Sequence, residues 1–355
     1  MSWSWEALDL AGVNRAVVVP RSATVTRRLL KPSVLSVAVD GTGAAELGTS
    51  ARVLRGWRRP AAGGARVLRA TGRAAGITAA ASTDALEVVT VPAVDALGHL
   101  ANRVVVASAT YTQQTPWFIA ADLVADQDAR SPTGLAVPEA VSGPPRDRTY
   151  EFGKNVAEAV QQLAEVDDGF YYVVDPQDDP AAYSVLTILY PAAGGHAAGA
   201  KFEWGDGTIG NLSGLEADLL PPVNSVTAFG AGSGDDQLRV TVVDQPSIDE
   251  HGLFDKTISH SDVTELATLE QHALDALRPH ERRTFRVTVG APTDADLQVP
   301  TPWEDFDVGD TVALELRGDS PMLTYSDRIM VTSFTVAIDE NGTERLAGLD
   351  FQADA

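Results

Sequence analysis

The sequence predicts an α+β protein, predominantly β, in which two β-barrel domains flank a small α+β middle region. Three observations predict it. Short β-branched or alternating runs, punctuated by Gly, Pro and small polar residues, fill both ends of the chain. Helical periodicity with recognisable caps is confined to a few short stretches. A length of 355 residues with 44% hydrophobic content provides for two to three domains with substantial cores and excludes wholesale disorder.

The first barrel is assigned to residues 1–110. Its strands are Ala16 to Val19, Ala23 to Leu29, Val34 to Val39, Ala51 to Trp57, Ala65 to Leu68 and Leu86 to Val91. A helical turn over Pro92 to Leu100 and a closing strand from Asn102 to Ala109 complete it. Short strands separated by such turns suggest a barrel or sandwich.

The middle region, 111–222, opens on a helix from Trp117 to Ala125, with Thr115 as its cap and Pro116 at its first position. An irregular stretch rich in Pro, Gly and Ser covers 126–145. It leads into RDRTYEFGKNVAEAVQQLAEVDDGF, 146–170. There Asn155 is placed to accept from a free N–H of the first turn, and Glu158 stands where a capping box wants it. Val156, Ala159, Val160 and Leu163 recur at helical spacing, so one side of this helix is buried. Asp167, Asp168 and Gly169 supply a turn, and aromatic strands follow at Gly169 to Val174 and Ser184 to Tyr190, separated by an acidic loop over 175–180. The small-residue stretch Ala192 to Ala200 reads as a loop, mobile or pressed closely on a neighbour.

The second barrel is assigned to 223–355. Its β runs are Val223 to Ala228, Leu238 to Val243 and one around Leu253, Phe254 and Ile258, before an inserted helix over 263–277 that Pro279 stops. Thr284 to Val289, Thr311 to Leu316, Asp327 to Ala337 and Glu344 to Phe351 complete it. Between the last two lies Asp339-Glu-Asn-Gly342, and Asn-Gly predicts a type I′ hairpin with φ > 0 at both central residues.

Composition removes several classes of function. There is no cysteine, hence no disulfide and no thiolate chemistry. MSWSWEALDL has no basic region before an apolar stretch and does not read as a signal peptide, and no run of about eighteen apolar residues predicts a membrane span. The net charge of −22 is asymmetric: residues 1–110 hold 13 Lys+Arg against 7 Asp+Glu, the remainder 14 against 42. The total has the wrong sign for a nucleic-acid binder. An acidic wall lets DNA pass without sticking, although an ordinary solvated surface explains the charge equally well.

Enzymatic signatures are missing from the sequence. His99, His196, His251, His260, His272 and His280 form no zinc motif, and no nucleophile elbow, P-loop or dinucleotide fingerprint occurs, so neither metal nor cofactor is expected. Glu203, Asp206, Glu216 and Asp218, and Asp175, Asp178 and Asp179, leave a cell-wall glycan hydrolase as an alternative, since glycoside cleavage needs two opposed carboxylates. Trp3, Trp5, Trp57, Trp117, Trp204 and Trp303 leave a carbohydrate-binding module as another.

The run 146–170, preceded by ADLVADQDARSPTGL (121–135) and followed by KFEWGDGTIGNLSGLEAD (201–218), resembles the minor tail proteins of long-tailed phages of actinobacteria. Those proteins are similar to the baseplate-hub family, also found in contractile injection machines. The opening DLAGVNRAVVV (9–19) and the segment from PWEDFDVGD (302–310) to the terminus fit the same order of segments. The resemblance implies a non-enzymatic subunit of a homotrimeric ring at the distal end of the virion tail, assembled in the host cytoplasm. Its implied partners are the distal tail ring or tail tube protein, tip and fibre proteins and the tape-measure protein, with DNA passing through unbound.

On that reading the interfacial residues are Trp3 and Trp5, whose rings share one face if WSW is extended, and Arg52, Arg55, Arg58, Arg59, Arg66, Arg69 and Arg73. Trp303, Asp307 and Asp310 of the late turn join them. The arginines are equally explained as a basic strand face that blunts edge pairing.

Overall fold

A computed structural model of the chain describes residues 1–10, 15–40, 47, 52–60, 63–82, 85–166, 168–205, 210–278, 280, 282–290 and 298–352. Asp167, Asp206 and Pro279, each given a role above, lie outside the described residues. In chain order the elements begin with β1 (Ser2–Asp9), β2 (Arg15–Val18), β3 (Ser22–Arg28), β4 (Val34–Asp40), β5 (Arg52–Arg59), β6 (Val67–Ala74), β7 (Thr78–Ser82) and β8 (Ala85–Val94). Next come α1 (Ala96–Leu100), β9 (Ala109–Gln114), α2 (Pro116–Arg130), β10 (Leu135–Ala136), β11 (Arg146–Tyr150), α3 (Val156–Gln162), β12 (Tyr171–Pro176) and β13 (Ser184–Leu189). Then follow β14 (His196–Trp204), β15 (Leu212–Leu220), β16 (Ser225–Phe229), β17 (Arg239–Val243), α4 (Gln245–His251), β18 (Asp255–Ser259) and α5 (Leu266–Ala276). The last strands are β19 (Arg282–Val289), β20 (Thr311–Arg317), β21 (Thr324–Ile338) and β22 (Glu344–Gln352).

Predominantly β the chain is, but among the described residues no closed barrel is found. Strands from both ends, with β14 and β15 from the region assigned to the middle, instead form one sheet of fourteen, ordered β15-β19-β22-β21-β3-β4-β8-β6-β5-β1-β2, with β20 and β14 joined at β21 and β7 at β8. The physical reason is the length of β21. Its first half, Thr324 to Met330, pairs with β20; its second half, Ser333 to Ile338, pairs antiparallel with β3. A register shift between Val331 and Ser333 marks where the partner changes, as a bulge that bends a strand does. Strict alternation of burial in β4 and β20 turns Leu35, Val37 and Val39, and Val312, Leu314 and Leu316, toward one shared core.

A second core belongs to the middle region, where α1, α2 and α3 pack with β12 and β13. Both expected caps are present. Thr115 Oγ1 accepts from Phe118 N, and Asn155 Oδ1 from Glu158 N. The first helix runs on past Ala125 to Arg130, with Gln127 continuing its buried side. The expected strand from Asn102 to Ala109 is only a bridge between Val104 and Asn155, and pairing begins at β9. A third, small core lies in an insert where α5 packs on the sheet β17-β16-β18 through Val226, Ala228, Leu269 and Ala273.

Two local expectations change. From His196 the small-residue stretch is not a loop but β14, paired in parallel with β20. At the Asn-Gly hairpin Gly342 alone of the pair takes positive φ, +73°. Asp339 accounts for this: its Oδ1 accepts from Asn341 N and Thr343 N, holding a turn closed by Gly342 N on Asp339 O. No helix among the described residues is long and apolar enough to cross a membrane.

Candidate functional site

Several of the residues singled out by sequence converge on a junction between β1, β5 and the 302–310 turn. Trp3 and Trp5 leave β1 on the same face and stack at 5.7 Å and 18°. They are 7% and 2% exposed: Trp5 sits where β2 and β5 both flank β1, and Trp3 lies against Trp303. Gly56 of β5 faces Trp5, and a Cβ there would stand 2.9 Å from the indole, so only glycine leaves room for the stack. Trp303 covers Trp3 at 5.9 Å and meets Phe334 edge-on at 5.0 Å. The pair expected to anchor a neighbouring subunit thus closes a core within its own chain.

Arg58, 1% exposed, reaches from β5 to Glu344 through Nε and Nη2, both at 2.8 Å, and to Glu304 through Nη1 at 2.7 Å. Trp3 Nε1 also donates to Glu344. The Arg58 guanidinium lies 5.7 Å from the Trp303 centroid. Burial pushes its pKa down, but the hydrogen bonds and charges of Glu344 and Glu304 outweigh that and raise it. Arg69 approaches the same ring at 5.9 Å; burial, and the charges of Arg58 and Arg27, lower its pKa despite Asp307.

Two further arginines bind the middle region to this junction. Arg27 of β3 donates to Asp307 and to Asp175, each at 2.6 Å, and Arg55 of β5 donates to Asp178 at 2.5 Å. Asp310 secures the late turn from below: Oδ2 accepts from Asp307 N at 2.8 Å and Oδ1 from Gly195 N at 2.7 Å. Phe306 then packs edge-on against Phe202 and Phe334.

The structure therefore brings together Trp3, Trp5, Arg58, Arg69 and Trp303, with Asp307 and Asp310 in the adjoining turn. It places Arg55 against Asp178, and Arg66 over Trp57 at 4.6 Å and against Glu6 at 3.1 Å. Arg59 is exposed at the end of β5, whereas Arg52 and Arg73 are half-buried. Sequence reading missed Arg27, Glu304 and Glu344. Arg27 carried a signal, since it falls on the inward phase of β3 with Ala23 and Val25.

Several carboxylates of the acidic clusters are held in ion pairs. Glu203 and Glu315 hold Lys201 at 2.6 and 3.0 Å, and Glu216 holds Arg286 at 3.0 Å. Among the described residues lining a cleft of about 610 Å³ beside Pro302, the acid is Glu344, whose carboxylate is already held by Arg58 and Trp3. Among the described residues no group of three His, Cys, Asp or Glu is placed to hold a metal ion.

No family model matches the chain, and no curated protein matches it. Solved structures do. The tail protein from Neisseria meningitidis MC58 matches with a TM-score of 0.58 at 15% identity, covering 100% of this chain and 97% of that one. The 43 kDa tail protein of prophage MuSo2 from Shewanella oneidensis gives 0.57 at 15%, covering 99% and 98%. Prophage tail protein gp18 from Listeria monocytogenes EGD-e gives 0.56 at 12%, covering 99% and 94%. At these identities the likeness is one of fold.

Proposed function

We propose that this chain is a structural, non-enzymatic protein of a phage tail, a hub subunit that assembles as a homotrimeric ring at the distal end of the virion tail. The observation that carries the reading is the end-to-end match of fold with three tail proteins, two of them from prophages. The ring would join the tail tube or distal ring to the tip and fibres and surround the channel used by the tape-measure protein and then by DNA. The narrower origin, a long-tailed phage of actinobacteria, rests on the run 146–170.

A rigid subunit suits that role, and the buried arginine–carboxylate junction supplies one by tying the β1 to β8 strands, the middle region and the last strands to one another. Contacts between copies would use the strands at the two ends of the sheet, β2 and β15, together with exposed Arg59. The test is the mass in solution across concentration, with a reconstruction of the tail end. Three copies of the 37.5 kDa chain, or a three-fold ring on the tail, is the expected result. A chain that stays monomeric at tens of micromolar and is missing from the tail overturns the reading.

A further inference from the structure

Where the insert meets the middle region, two histidines are stacked in a buried site. His260 follows β18 and His272 lies on α5; their rings are 3.9 Å apart and 14° from parallel, and they are 8% and 1% exposed. Fully buried Arg148 of β11 approaches His272 Nε2 at 2.9 Å. A guanidinium only donates, so Nε2 must accept, and the ring proton sits on Nδ1, which donates to Glu165 O at 2.5 Å. Both nitrogens of His272 are thus satisfied only while the ring is neutral. A proton on Nε2 would set N–H against N–H, with His260 pressed on one face.

We propose that Arg148, His260 and His272 form a proton-operated clasp, closed while both imidazoles are neutral and opened, releasing the insert (residues 223–278) from the middle region, when either takes a proton. Two other ties across this joint meet at Asp262. Thr149 N donates to Asp262 O at 3.0 Å, and Lys154 Nζ stands 3.6 Å from the buried Asp262 carboxylate. The charges facing the rings are mostly positive: Arg146 and Arg148 from β11 and Lys154 ahead of α3, against Asp262 beside His260. Tyr150 lies next to Arg148, and burial raises its pKa, so it brings no negative charge.

Burial, with Arg148 and Lys154 against the opposing pull of Asp262, lowers the His260 pKa to about 4. Burial, then Arg148 and His260, lower that of His272 to about 2. Released rings would titrate near an ordinary value of about 6.5. The closed state is therefore fully favoured above about pH 6.5 and weakens as the pH falls toward 4, the open-to-closed ratio rising up to about tenfold per pH unit for each imidazole. Glu165, whose carboxyl burial raises, titrates in the opposite sense and blunts the slope.

The experiment is amide hydrogen exchange on the full chain from pH 7.5 to 4.5, corrected for the intrinsic rate. Amides of β16, β17 and α5 should lose protection by about tenfold to a hundredfold per unit below about pH 6.5, while β4 and β20 in the large sheet hold theirs. His272→Gln keeps an acceptor for Arg148 without titrating, and His260→Phe keeps the stack; either should at least halve the slope. If one variant leaves the insert open at pH 7.5, the other and the wild-type profile still decide. Protection in the insert that ignores pH, that falls in step with the large sheet, or that keeps its slope in both variants overturns the clasp.

Discussion

Arg58 shows how a buried charge can matter more for what its removal does than for what its presence contributes. Taking a guanidinium and a carboxylate out of water is costly, and their attraction does little more than offset it. Removing one partner leaves the other stranded beneath Trp303. Arg58→Met should therefore destabilise the chain by about 3–5 kcal/mol in urea unfolding, and adding Glu344→Leu should recover most of that loss. Trp303 carries a different tension, since its φ of +63° lies in a region that bulky residues avoid. Both Trp303→Ala and Trp303→Gly lose the ring, but only glycine sheds the strain. The usual order of the two should invert, with the glycine variant more stable than the alanine variant by about 1 kcal/mol in the same measurement.

Among the elements, α3 rests on Asn155, which caps Glu158 N through Oδ1 and holds Ala101 O through Nδ2. Asn155→Ala should cost about 1–2 kcal/mol, seen as a lowered thermal midpoint by circular dichroism. Such caps were legible because donor and acceptor lie within a few positions of each other, as was the alternation that defines β4 and β20. Asp244 with Pro246 announced α4 in the same way and went unread. What could not be read locally was imposed from afar. β14 has no β-branched residue and is a strand through its parallel pairing with β20, where Asp310 fixes Gly195. The junction is less legible still, since Arg58 and Glu344 are 286 positions apart and no spacing rule links them. Sequence identified the tryptophans and arginines as unusual but placed them on the outside, because it could not show that Trp303 of the late turn folds back over Trp3 and Arg58.

At the scale of the molecule, the charge asymmetry acquires a different meaning once the pairs are known. The sequence placed seven arginines of residues 1–110 at an interface between subunits. Arg27, Arg55 and Arg58, however, meet carboxylates from the acidic remainder of their own chain. Much of the attraction that would join one copy to the next is thus satisfied within each copy. Each subunit of the proposed ring still carries a net −22, and self-repulsion acts over the Debye length. Raising salt from 0.01 to 0.15 M shortens that length from about 30 to about 8 Å. Association should therefore tighten with salt over this range, measured as the trimer fraction by sedimentation at fixed concentration. Weakening with salt would mean that opposite charges do meet between copies, with exposed Arg59 at the centre of the interface.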